Sequence, residues 1–144
     1  MMKIGELARL QGCTPETIRF YEKAGLLPEP VRTEGNYRHY GQEHVQRLRF
    51  IRNCRILDMS HDEIRTLLQA HDETPDDCQP VNRSIDAHIE HVETRIRELT
   101  QLKAQLALLR KRCTIPHDVK NCGIFQELQT AEMQDPHVHG HTHV

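Results

Sequence analysis

Tryptophan is absent from the chain, only 4% of its residues are aromatic, and no run of about 18 apolar residues occurs. The last of these absences excludes a membrane-spanning helix. The opening residues MMKIGELARL lack the apolar stretch of a secretory signal. The chain is therefore expected to stay in the cytoplasm, where five cysteines serve as metal ligands or buried thiols rather than as disulfides; their odd number argues the same way. There is no glycine-rich cofactor loop, no nucleophile elbow and no zinc-hydrolase motif, so enzymatic activity is not expected. With 144 residues the chain can bury one small core and carry one extended element, but hardly two full domains.

The charge that is present is unevenly distributed. Residues 1–70 carry 11 Lys and Arg against 9 Asp and Glu, whereas residues 71–144 carry 8 against 12. Within 32–55, Arg32, Arg38, Arg47, Arg49, Arg52 and Arg55 face only Glu34 and Glu43. A local basic patch on a mildly acidic chain suits a polyanion bound at one place.

Ile4, Leu7, Ala8 and Leu10 recur at helical spacing until QGC interrupts them. In TPETIRFYEKAG, Thr14 is a helix N-cap, Pro15 suits the first helical position and Gly25 the left-handed cap. Two short helices joined by a tight turn form a helix-turn-helix, a pattern shared with a generic helical hairpin. The segment VRTEGNYRHY then alternates around Gly-Asn, as a β-hairpin does; Arg and Tyr on such a wing are suited to holding phosphates. Residues 43–57 continue as a helix with Val45, Leu48, Ile51 and Cys54 on one face, Cys54 being a buried thiol. Ser60 and Glu63 form a capping box that opens a further helix. AHDETPDDCQP reads as a loop.

From Val81 about 30 residues contain neither Gly nor Pro. Ile85, Ile89, Val92, Ile96 and Leu99 step by 4, 3, 4 and 3, and Leu102, Leu106, Leu109 and Cys113 follow after one short step that resembles a stammer. A narrow stripe of this kind requires a partner helix, most simply from a homodimer. Cys78 precedes this helix and Cys113 and Cys122 follow it. The 35 residues from Cys78 to Cys113 span roughly 50 Å if mostly helical, so these two thiols of one chain cannot share an ion. In an antiparallel pair, Cys78 of one chain lies beside Cys113 and Cys122 of the other, forming two equivalent three-thiolate sites; a parallel pair separates them. Soft thiolates select Zn, Cd, Hg, Pb or Cu(I). Three sulfurs suit Hg(II), Pb(II) and Cd(II), two satisfy Cu(I), and Zn(II) calls for a fourth donor such as His117. His137, His139, His141 and His143 form an alternating imidazole tail, either a secondary metal site or a purification tag.

The stretch KIGELARLQGCTPETIRFYEKAGLLPEPVRTEGNYRHY, followed by VQRLRFIRNCRILDMSHDEIRTLL, resembles the MerR family of transcriptional regulators over residues 2–123. Within that family the chain is similar to the cadmium- and lead-responsive branch, the CadR and PbrR type. The resemblance implies a mainly α fold: a winged helix-turn-helix DNA-binding domain (1–71), a linker with Cys78 (72–80), an antiparallel coiled-coil dimerisation helix (81–112), a metal-binding loop and short helix (113–128) and a His-rich tail (129–144). It implies a homodimer that binds double-stranded promoter DNA, represses without metal, and distorts the operator for RNA polymerase when Cd(II) or Pb(II) binds Cys78, Cys113 and Cys122.

The presence of Cys78 argues against copper(I)-sensing relatives. The eight residues between Cys113 and Cys122 resemble lead- and mercury-sensing members, so Zn(II) and Hg(II) stay open as effectors. By the same matching, Thr14, Thr17, Arg19 and Tyr21 belong to the helix that enters the major groove, with Arg19 the base reader; Arg32, Asn36, Tyr37, Arg38 and Arg55 hold phosphates. A cytosolic metal buffer is the rival from another class, and it needs neither the wing nor the basic patch.

Overall fold

The computed structural model describes residues 1–113 and 119–134. His117, His137, His139, His141 and His143 lie outside the described residues. The chain divides into two units, one spanning Met1–Ile85 and the other beginning at Asp86. Its described elements are α1 (Ile4–Gln11), α2 (Pro15–Lys23), β1 (Val31–Arg32), β2 (Arg38–His39), α3 (Gln42–Ile56), α4 (His61–Glu73), α5 (Gln79–Arg110), a 3-10 turn (Val119–Asn121) and α6 (Gly123–Thr130). None of these helices is long and apolar enough to cross a membrane.

In the first unit, α1 ends at Gly12, whose φ of 64° provides a left-handed cap that most side chains resist. The turn is complete within three residues, because Thr14 already caps α2: its Oγ1 accepts the Thr17 N–H at 3.2 Å, and Pro15 fills the first helical position. At the other end of α2, Gly25 has φ 75°, and the N–H groups of Leu26 and Leu27 donate back to the Tyr21 carbonyl. That reversal sends both leucines into the core, at 0% and 3% exposure.

The wing is a two-stranded antiparallel ladder in which Val31 pairs with His39 and Arg32 with Arg38. Its tip turns at Gly35 and Asn36, both at positive φ, as the Gly-Asn pair anticipates. Met2 adds an isolated bridge to Tyr40, with both N–H···O distances 2.8 Å, so the amino terminus is fastened to the wing.

The core joins Leu7, Ile18, Leu26, Leu48, Ile51 and Ile64, all fully buried, with Tyr40 among them. Burying each of these aliphatic side chains contributes about 1.5–3 kcal/mol. Val45 and Cys54 are buried with them, on the face of α3 that the spacing predicts. His44 is also fully buried; its Nδ1 accepts the Gly41 N–H at 3.0 Å, which leaves Nε2 to donate to the Glu29 carbonyl at 3.2 Å. Ser60 and Glu63 form the expected capping box, Oγ accepting at 3.1 Å and Oε1 at 3.0 Å.

The segment expected as a linker over 72–80 is shorter and more ordered than its composition suggests. Helix α4 runs through Glu73 and α5 begins at Gln79, with Pro80 in its first turn. Proline is tolerated there because the first-turn N–H has no helical acceptor to lose. Asp77 N–H donates to Thr74 O, Gln79 N–H to Asp77 Oδ1, and Asn82 N–H to Cys78 O, the last at 2.9 Å. Helix α5 is 32 residues long, and none of them is fully buried. Its predicted stripe is exposed: Ile89 49%, Ile96 57%, Leu99 47% and Leu106 57%. The helix continues unbroken through the short step at Leu99–Leu102.

Candidate functional site

On the first unit, the residues expected to face DNA form a groove-facing group and a wing group. Thr14 and Arg19 are exposed on α2, where the Arg19 guanidinium lies 3.8 Å from Glu16. Thr17, Tyr21 and Arg55 line one shallow depression of about 320 Å³, together with Cys13, Arg52 and Ile56. Arg52, part of the basic patch, brings its guanidinium close to Gly12 at the α1–α2 turn. Two cations and a threonine hydroxyl on one concave surface match the donor chemistry that phosphate oxygens take.

Tyr21 is turned largely into the core. It is only 8% exposed, and its ring meets Phe20 and His61 edge-on at 5.8 and 5.9 Å. The reason lies in helical spacing, for Tyr21 stands three positions from the fully buried Ile18 and shares its face. The outward aromatic is Phe20, 50% exposed. His61, at the start of α4, has its pKa lowered, first by burial and then by Arg55 and Arg65, which favours a neutral ring against these aromatics. Arg65 also donates to Ala24 O at 2.8 Å, closing the carboxyl end of α2.

The wing residues also divide. Tyr37 is 68% exposed at the tip, and Arg32 donates to the Asn36 carbonyl at 3.1 Å, supporting the turn. Arg38 is 33% exposed, and its Nη1 donates to Glu22 Oε2 at 3.2 Å. The other carboxylate oxygen of Glu22 accepts from the hydroxyl of Tyr40. Burial and the Glu22 carboxylate push the Tyr40 pKa up to about 12, so the hydroxyl stays protonated as a donor. Arg55 is engaged as well, donating to Met59 O at 2.7 Å while still lining the depression.

The second unit brings Cys113 and Cys122 together. Cys122 immediately precedes α6, and the two thiols share a hydrogen bond. No short cap bond forms at Cys122, yet the N–H groups of Ile124 and Phe125 lower its pKa from the ordinary thiol value. The thiol of Cys113 is pushed up, chiefly because its hydrogen bond to Cys122 requires the proton. Gly123 permits this approach: a Cβ there would stand 2.6 Å from the Arg112 carbonyl oxygen. Arg112 pairs with Glu127 of α6 at 3.6 Å. Arg110 Nη1 donates to the Cys113 carbonyl at 2.6 Å. Two adjacent sulfurs, one of them with its pKa lowered by α6 N–H groups, are a donor pair for a soft cation. Cys78 is exposed immediately before α5, in the first unit.

A helix-turn-helix with a hairpin wing and clustered arginines defines a winged-helix DNA-binding protein. Two family models match it: "MerR HTH family regulatory protein" over residues 2–71, and "MerR, DNA binding" over residues 45–109. The chain belongs to the MerR family and is a metal-sensing transcriptional regulator. It is 50% identical, over 81% of its length and 86% of the relative's, to an HTH-type transcriptional regulator ZntR homolog of Haemophilus influenzae. It is 38% identical to the mercuric resistance operon regulatory protein of Bacillus cereus, covering 88% of this chain and 96% of that one. Among solved structures it is similar to the regulator PbrR691 from Ralstonia metallidurans CH34 in complex with lead(II), with 48% identity, TM-score 0.79, and 89% and 99% of the two chains covered.

Proposed function

We propose that the protein is a homodimeric regulator that senses Cd(II), Pb(II) or both and activates a metal-resistance or efflux promoter, repressing it in the absence of metal. The observation that carries this reading is the pairing of Cys113 with Cys122 at the start of α6. The similarity to a regulator solved with lead(II) supports it. The exposed stripe along α5 supports a dimer, because an apolar seam of this length calls for a partner helix, and the cysteine spacing favours the antiparallel arrangement.

In that dimer Cys78 of the partner chain completes a three-sulfur donor set with Cys113 and Cys122. A bound Cd(II) or Pb(II) supplies a soft Lewis-acid centre for these thiolates. The chain's own contribution is to fix where the sulfurs stand: Gly123 brings Cys122 to the end of α5, and Cys78 O accepts the first helical bond at its beginning. Joining these two points across the seam biases the angle between the DNA-binding domains, letting RNA polymerase engage the distorted promoter. A shift from 1:99 to 99:1 requires about 5.5 kcal/mol of differential affinity. Thiolate-rich metal sites bind with roughly 10–16 kcal/mol, which leaves room for a DNA deformation cost on the order of 1–6 kcal/mol.

On the DNA, α2 enters the major groove with Arg19 reading a base, Thr14 and Thr17 beside it, and only the accessible edge of Tyr21 taking part. Arg32, Asn36, Tyr37, Arg38 and Arg55 face the phosphates. The 50% identical ZntR homolog favours Zn(II) as a second reading, and the mercuric resistance regulator does the same for Hg(II). In vitro transcription from the promoter upstream of the regulated operon, with Cd, Pb, Zn, Hg and Cu(I) in turn, tests the choice. The Cys78→Ser protein should lose the response to Cd and Pb; an unchanged response would place the sensor elsewhere.

A further inference from the structure

Glu22 stands out among the acids of the first unit because it lies on the DNA-facing helix yet is turned toward the wing. Its side chain is 10% exposed, and it holds two donors, Arg38 Nη1 on one oxygen and the Tyr40 hydroxyl on the other. Tyr40 is fully buried and its backbone is paired with Met2 in both directions, so one arm of this bridge is fixed in the core. The other arm ends on a guanidinium that remains 33% exposed. Arg38 therefore stands at the protein surface with its charge largely neutralised from within. A carboxylate on the recognition helix is otherwise unfavourable near a polyanion, since it repels phosphates. Here it faces away from them and restrains a cation that would seek them.

We propose that Glu22 is a positioning residue that withholds the charge of Arg38 from the DNA backbone and so limits binding to non-cognate sequence. The proposal rests on the reading of Arg38 as a wing residue facing phosphate. Phosphate contacts carry no sequence information, whereas base contacts by α2 do. A wing arginine released from Glu22 strengthens binding to every duplex alike and narrows the preference for the operator. An arginine held by Glu22 reaches phosphate only when the fit on α2 brings the backbone to it.

The test measures association constants against salt on two duplexes, one of scrambled sequence and one selected by the wild-type protein from a random pool. Each additional phosphate contact steepens the slope of log K against log salt by about 0.9. Glu22→Gln should show that steepening on the scrambled duplex, and its affinity should fall roughly 3.5-fold further than that of the wild type between 50 and 200 mM salt. In an Arg38→Gln background the same Glu22 substitution should leave the slope unchanged. Glu22→Asp, which keeps the charge but shortens its reach, should behave as Glu22→Gln does and serves if the glutamine variant fails to fold. An unaltered slope in Glu22→Gln and Glu22→Asp, or the same steepening with and without Arg38, overturns the proposal. A wild-type protein that selects no duplex from the pool refutes the DNA-binding reading itself.

Discussion

Alanine at position 123 is the most demanding perturbation that the thiol pair offers, because it adds one carbon and removes no ligand. Its Cβ would stand 2.6 Å from the Arg112 carbonyl oxygen and 3.2 Å from the Arg112 Cβ. The closer obstacle belongs to the backbone, so no rotamer change removes it; α6 must move away from the end of α5. Overpacking of this kind costs about 1–3 kcal/mol, and at a factor of ten per 1.4 kcal/mol this is a loss of about 5- to 150-fold. Because the displaced helix is capped by Cys122, the loss should fall on metal affinity. Cd(II) titration in competition with a chelator, followed by thiolate-to-metal charge-transfer absorbance, measures it, and fluorescence anisotropy on a duplex measures DNA binding in parallel. Gly5→Ala is the control, since nothing lies within 4 Å of its added carbon. Wild-type Cd(II) affinity in Gly123→Ala would refute the reasoning; so would metal and DNA affinity falling together.

Two further outcomes are expected. Ser60→Ala removes the hydroxyl that accepts the Glu63 N–H at 3.1 Å and should cost about 0.5–2 kcal/mol in denaturant unfolding; a change below that range would show that the cap is dispensable. Alkylation by iodoacetamide should modify Cys122 before Cys113 in the metal-free protein. The lowered pKa of Cys122 keeps its reactive thiolate populated to lower pH, while that of Cys113 is lost first as pH falls. Mapping the modified peptides across a pH series checks the order, and equal rates would contradict the role given to the α6 N–H groups.

The parts of the fold that were legible in the sequence are those set by neighbouring residues. Thr14, Pro15 and Gly25 mark both ends of α2, Ser60 and Glu63 mark the start of α4, and Gly35-Asn36 marks the wing tip, because each conformation depends on a few adjacent dihedrals. The burial of Tyr21 is legible from its three-residue spacing to Ile18. Glu22 carried no such signal. Its partners lie 16 and 18 positions away, and on strands of two residues alternation does not decide which side chains face inward. The approach of Gly123 to Arg112 was hidden for the same reason, since it depends on a carbonyl 11 positions earlier. The helix start at Gln79 was hidden by Pro80, which resembles a breaker in sequence and serves as a first-turn residue in the helix.

The short turn between α4 and α5 behaves as a stiff coupling rather than a tether. Thr74 is tied to Ala70, Asp77 to Thr74, Gln79 to Asp77 and Asn82 to Cys78, so the turn is held at Thr74, Asp77 and Cys78. In the proposed dimer, a metal held by the Cys78 sulfur would therefore act on a turn whose own hydrogen bonds reach both the last turn of α4 and the first turn of α5.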